Sequence, residues 1–360
     1  MRKDTRAQLL GYSSQIAMIN GVDDAAQKFT VTPTVRQKMQ ERIQQGSEFL
    51  SQISFETVID KTGQKVGVGT TRPIASRTNT AGGNRRIATD PTSTSNEGIY
   101  VCAQTNFDTA IPYAKLDNWR HKPEFQTLLR DVILKQQARD MIMIGWNGTS
   151  VAATTDRVAN PLLQDVNKGW LHHLRTDAPA RCILDGALTT DPTKAIYVAS
   201  GVEVLNAEGT NAATAKADYV NLDHLVHDLT EMLDEWHRDS SDLVVIVGRD
   251  LLQDKYSNIL TAAANTPTEV EARDRILTLP KQVGGKRAVV VPFFPAKAVM
   301  ITTLENLAIY EQEETRRRLF RDEPDYDQVA NYESANLAYV IEDYGLAALA
   351  QNIVMGPKPA

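Results

Sequence analysis

Residues Pro123 to Gly145 read PEFQTLLRDVILKQQARDMIMIG, and the spacing predicts one long helix. Phe125, Leu128, Leu129, Val132 and Ile133 step by three and one, which puts them on one helical stripe. Met141, Ile142 and Ile144 continue the apolar surface, while Arg130, Asp131, Lys135, Gln136, Arg139 and Asp140 fall mostly off it. Pro123 suits the first turn, where its missing N–H costs nothing, and Gly145 is placed as a C-terminal stop. At a rise of about 1.5 Å per residue this helix is roughly 33 Å long. With one greasy side, it is expected to lie along a sheet as a strut.

The chain has 360 residues, which exceeds the usual single core and predicts two domains with extra arms. A hydrophobic content of 42% is enough for a sizeable core. The formal net charge of −6 argues against a protein that grips nucleic acid over its whole surface. Cys102 and Cys182 stand far apart without metal-ligand spacing, which argues against a disulfide framework or a zinc finger and fits a reducing compartment. The basic start lacks the apolar run of a signal peptide. The longest apolar runs, LVVIV and AVVVPFF, are strand-sized, so no membrane association is expected. A soluble, intracellular chain is the expectation.

In chain order, residues 1–30 read as an amphipathic, mildly basic segment with a turn at Asn20-Gly21. Thr32-Pro33 opens a helix that ends near Gly46. SFETVID (Ser54–Asp60) reads as a strand. Beyond the strut, Asp156–Arg181 reads as a loop and then a helix carrying Leu163, Val166, Trp170 and Leu174. A helix is expected over Asn221–Trp236, a buried strand at DLVVIVG (Asp242–Gly248), and a further helix directly after it. KRAVVVPFFP and AVMITTLENLAIYEQEE add strands. Thr315–Val329 reads as a charged connector, and the chain closes on a strand pair. Helices and strands mix without a strict βαβ rhythm, so the fold class is α+β.

Lys65 to Gly98 has the most unusual composition: KVGVGTTRPIASRTNTAGGNRRIATDPTSTSNEG. It carries few bulky apolar groups, and Lys65, Arg72, Arg77, Arg85 and Arg86 stand against only Asp90 and Glu97. Structureless loops beyond about 15 residues are uncommon in compact domains unless functional or disordered. As a hairpin rising roughly 3.3 Å per residue it would reach about 50–60 Å, beyond its own domain. Composition leaves both disorder and docking on a neighbouring subunit open.

Catalytic patterns are missing. His224 and His227, with Asp228 and Glu231, share a helix face and form the only metal-enzyme alternative, but the H-E-x-x-H spacing is absent. His172-His173 point apart on a helix and read as surface residues. DLVVIVGRDLL has one glycine where phosphate cradling needs several. Asp322, Glu323, Asp325 and Asp327 beside Arg316, Arg317, Arg318 and Arg321 read as a self-neutralising loop at a subunit contact. No catalytic residue and no cofactor is expected. Binding of nucleic acid through the basic loop is the remaining alternative. A long strut, a basic arm too long for its domain and no reaction centre describe an assembly subunit.

The passages GVGTTRPIASRTNTAGG, QTNFD…Y.KLD.W (Gln104–Trp119), DRVANPLLQDVNKGWL, APAR, DLVVIVGRDLLQDKY, LENLAIY and NYESANLAYVIEDY carry a resemblance. The chain resembles the major capsid proteins of Peduovirus-type tailed bacteriophages, from Lys28–Pro33 to Val340–Tyr344, departing most over 182–217. The resemblance implies the Hong Kong Ninety-Seven-like capsid fold, with a long spine helix (123–145), an extended β-hairpin loop, and peripheral and axial domains. It implies an N-terminal arm (1–53), the extended loop (54–110), a peripheral domain (111–159 and 301–335) and an axial domain (160–300 and 336–360). It further implies pentamers and hexamers forming an icosahedral procapsid around an internal scaffolding protein that is also a protease. That shell then expands as double-stranded DNA enters through a portal. The arm would be trimmed between Ala25 and Thr34. The finished shell would be the virion capsid, assembled in the host bacterial cytoplasm. Inter-subunit contacts are expected at Lys65, Arg72, Arg77, Arg85, Arg86, Arg316, Arg317 and Arg318.

Overall fold

The computed structural model describes residues 2–65, 75–83, 85–88, 98–119, 125–188, 190–199, 217–261 and 281–359. Arg72, Asp90, Glu97 and Pro123 lie outside these residues, as do the side chains of Phe125, Leu128 and Leu129.

One sheet gathers around β15 (Gln328–Ile341), a 14-residue strand. It pairs antiparallel with β14 (Arg317–Glu323), β13 (Leu307–Gln312), β5 (Ala103–Asn106) and β6 (Thr109–Pro112). A parallel strand, β2 (Ser54–Val58), joins β13, and the short β1 (Phe29–Thr30) joins β14. The expected connector at Thr315–Val329 is therefore a strand hairpin. Its alternation is masked because arginines occupy both faces, yet Phe320 is buried against Tyr12. Arginine's long aliphatic stem allows this, since it covers apolar surface while its head reaches a partner.

A second sheet has the order β10 (Gln282–Val283), β11 (Lys286–Val289), β9 (Val244–Val247), β12 (Val299–Thr302), β16 (Ala348–Ala350), β7 (Cys182–Ile183). Strands β9 and β12 are buried along their whole length, as unbroken apolar runs require when both faces are covered. Two further pairs stand apart: β8 (Ile196–Val198) with β17 (Ile353–Met355), and β3 (Thr62–Gln64) with β4 (Ile99–Val101). Two short passages join the main sheets, from β12 to β13 through Thr303–Asn306 and from β15 to β16 through residues 342–347, besides the longer connection from β6 to β7.

Seven helices are described: α1 (Lys3–Asn20), α2 (Pro33–Gln45), α3 (Tyr113–Trp119), α4 (Phe125–Asn147), α5 (Trp170–Asp177), α6 (Leu222–Glu231) and α7 (Arg249–Thr261). Helix α1 ends on Gly21 at φ +65°, a left-handed stop that glycine adopts without strain. Helix α5 starts at Trp170, later than the expected Leu163, which has φ +57° in the preceding loop. Asn221 caps α6 by accepting the His224 N–H.

The long helix α4 has 23 residues, and its buried stripe is Ile133, Leu134, Gln137, Ala138, Met141 and Ile142. Val132, expected on that stripe, is exposed. Toward the C-terminus the burial spreads around the helix to Ile144, Gly145 and Trp146. There α4 meets residues of both sheets in one core, including Ile246, Met300, Ile309 and Tyr339. Gly145 is not the stop, since the helix continues to Asn147. Its role is closeness: a Cβ built there would stand 2.3 Å from the Trp170 ring. Trp146 and Trp170 then meet edge to face at 4.9 Å, and the Trp170 Nε1–H donates to the Ala308 carbonyl at 3.0 Å.

Candidate assembly surface

Lys65 closes the base of the segment between β3 and β4. Its backbone N–H donates to the Gly98 carbonyl, and its side chain runs over Gly98, where a Cβ would stand 2.2 Å from Cε. The ammonium donates to the Ile341 carbonyl at 2.7 Å and lies 3.6 Å over the centre of the Tyr344 ring. Burial pulls its pKa down to about 8, against the opposing pull of Asp177, Glu342 and Asp343. Lys65 therefore grips its own subunit where β15 leaves the first sheet.

Arg77, Arg85 and Arg86 differ from it. All three are exposed, and among the described residues none makes an ion pair. Beside them Ile87 is 86% exposed.

Arg316 corrects the expectation of an inter-subunit contact. It is 1% exposed, and its guanidinium donates to Glu311 at 2.9 Å and Glu333 at 2.7 Å, both buried. Burial works against its charge, but the two carboxylates more than offset this and raise its pKa. Arg318 is half-buried and donates to Asn331 at 2.7 Å. Only Arg317 of the three is exposed.

The histidine alternative does not assemble. His224 and His227 are both exposed, but the Asp228 carboxylate accepts from the Tyr219 hydroxyl and Asp223 binds Lys255. Among the described residues no group of three His, Cys, Asp or Glu side chains is placed to hold a metal. Burial pushes the thiols of Cys102 and Cys182 up to about 11, so neither is an activated nucleophile. Sequence reasoning missed the neighbourhood of His172 and His173. There the Tyr344 hydroxyl donates to Asp177 at 2.7 Å, and the same carboxylate oxygen meets His173 Nδ1 at 3.1 Å. The histidine doublet was the one available signal, and residues 65, 177 and 344 are too far apart in sequence to add to it.

The model of the family "Phage major capsid protein, P2 family" matches residues 8–353. The chain belongs to this family. It is 41% identical over 364 residues to the "Capsid proteins" product of Escherichia phage P2, covering 99% of this chain and 96% of that one. It is 36% identical over 357 residues to the major capsid protein of Serratia phage KSP20, covering 98% and 97%. Among solved structures, the satellite phage P4 procapsid including size determination (Sid) protein matches with a TM-score of 0.76 and 38% identity, covering 99% of each chain. The architecture, two mixed sheets with helices laid on them, is the Hong Kong Ninety-Seven-like capsid fold. As a phage major capsid protein, this chain assembles into the icosahedral head.

Proposed function

We propose that the subunit assembles as pentamers and hexamers by laying the segment between β3 and β4 on the next copy. One observation carries this reading: Ile87, 86% exposed, sits beside exposed Arg85 and Arg86 on a stretch its own subunit leaves uncovered. An arginine pair around an apolar residue matches the composition of interface cores better than that of a solvated loop. The acceptor is acidic surface on the neighbour, engaged by Arg77, Arg85, Arg86 and Arg317.

In this reading residues 1–53 form the arm, 54–110 the extended loop with its hairpin, 111–159 and 301–335 the peripheral domain with α4 as its spine, and 160–300 with 336–360 the axial domain. An internal scaffolding protein with protease activity directs a procapsid, which expands as double-stranded DNA enters through a portal. Trimming of the arm falls between Ala25 and Thr34. Ala26, Gln27 and Lys28 are exposed there, whereas Ala25 and Phe29 are buried.

Expression of the full chain with and without its scaffold, imaged by negative-stain microscopy, tests the proposal. Capsomers or closed shells are expected. Monodisperse monomer under both conditions overturns it.

A further inference from the structure

An open cleft of about 550 Å³ lies between α5, the β3–β4 ribbon and β15. Lys61, Lys65, Lys168, His172 and His173 line it, against one carboxylate, Asp177. That carboxylate is already engaged by Tyr344, His173 and Thr176. Among the described residues no carboxylate lies within ion-pair distance of Lys61, Lys65 or Lys168. Burial, then the charges of His173, Lys168 and Arg175, lower the pKa of His172. Lys65 is offset by Asp177, Glu342 and Asp343, and His173 by Asp177, which among the described residues leaves Lys61 and Lys168 as cations without a carboxylate partner and His172 beside them as a hydrogen-bonding ring.

The cleft also has an apolar rim. Ile99 is 62%, Val101 56% and Val151 52% exposed. A small inorganic anion would use the cations and leave the rim wet. A protein segment carrying both acid and an apolar tip would cover both. The basic stretch around Arg77, Arg85 and Arg86 is repelled, because like charges brought together at an interface suppress pairing.

The turn at Pro324–Tyr326 and Asp327, between β14 and β15, has the complementary chemistry. Tyr326 is 75% exposed at its tip, flanked by exposed Asp325 and Asp327. The hairpin beneath it is held by seven-residue pairing from Arg317↔Ser334 to Glu323↔Gln328, so the turn is presented ready-formed.

We propose that this cleft receives the Asp325–Asp327 turn of a second copy, with Tyr326 on the apolar rim and the two carboxylates facing Lys168 and His172. The inference rests on the shell-forming reading. It adds a second contact between copies, opposite in charge sense to the one made by the arginines.

The test is charge exchange in the full-length chain expressed with its scaffold. Lys168→Glu with His172→Glu is expected to lower shell yield at least tenfold by sedimentation and microscopy. Adding Asp325→Lys and Asp327→Asn in the same chain is expected to restore it. Asparagine suits position 327, where φ is +51°. Wild-type yield from the first variant, or no restoration by the second, overturns the inference. Should the first variant fail to fold, the exposed turn variant alone decides: wild-type yield from it likewise overturns the inference. Failure of the unaltered chain to form shells removes the capsid reading itself, so the two failures are told apart.

Discussion

Asn306 and Asp343 hold each other through both ends of one amide. The Asn306 Nδ2 donates to the Asp343 carbonyl at 2.8 Å, and its Oδ1 accepts the Asp343 N–H at 2.8 Å. The Glu342 N–H donates to the Asn306 carbonyl at 3.0 Å, and Nδ2 also reaches Thr302 Oγ1 at 3.1 Å. These residues lie on the two short passages between the main sheets. One buried side chain therefore sets the spacing of both crossings.

Asn306→Ala leaves the Asp343 N–H and C=O without their partner. A fully buried unsatisfied group costs about 1–3 kcal/mol, and since these two are half-buried a total loss of about 1–3 kcal/mol is expected in denaturant unfolding of the unassembled subunit. A change below about 0.5 kcal/mol would show that the passages do not depend on this amide.

Arg316→Met removes the cation between two buried carboxylates. Breaking a buried pair by removing one partner costs about 3–5 kcal/mol. The combined Arg316→Met, Glu311→Gln, Glu333→Gln variant is expected to recover much of that loss, because no uncompensated charge remains. Equal instability of the two variants in urea melts would place the cost in packing.

Gly145→Ala sets helix propensity against sterics. Alanine gains about 1 kcal/mol in a helix interior. The Trp170 ring 2.3 Å from the added Cβ forces a shift of α4 or α5. Overpacking of this kind costs about 1–3 kcal/mol and is expected to win. A lower melting temperature and a changed tryptophan emission spectrum, from the Trp146–Trp170 pair, would report it.

Asp191 ties one acid-sensitive point into the second half of the chain. Hydrogen bonds from the Thr193 hydroxyl and N–H, the Tyr197 hydroxyl and the Ala195 N–H hold its pKa down to about 2. A carboxyl with a depressed folded pKa contributes stability that is present above its unfolded value near 4. That contribution is lost as pH falls through about 2. Asp191→Asn is expected to be less stable at pH 7, with a shallower loss of stability between pH 4 and 2. Parallel acid-limb slopes for the two proteins would contradict this.

Arg85→Glu with Arg86→Glu changes exposed side chains only, so subunit stability is expected to stay within about 0.5 kcal/mol. Shell yield is expected to fall because the charge offered to the neighbour is reversed. Undiminished yield would remove these arginines from the contact.

Much of the fold was legible where a single periodicity ran without interruption. The helix α4, the strand at Ser54–Val58, the buried strand at Val244–Val247 and the helix after it follow from local spacing of apolar residues. Legibility failed at Arg317–Glu323, where charged side chains occupy a sheet, and at Gly145, where a glycine serves a neighbour rather than a terminus. The cleft lined by Lys65, Lys168 and His172 left only the histidine doublet as a sign in the sequence.

By itself the sequence determined most of the element types, the absence of a catalytic pattern and the family, because these depend on residues close together in the chain or on extended likeness. Only tertiary structure decided which charges are buried and which are offered outward. Arg316 and Arg317 are adjacent, yet one is sealed between two carboxylates and the other faces solvent. Strand pleating sends neighbours to opposite faces, and the pairing of distant strands determines which face is covered.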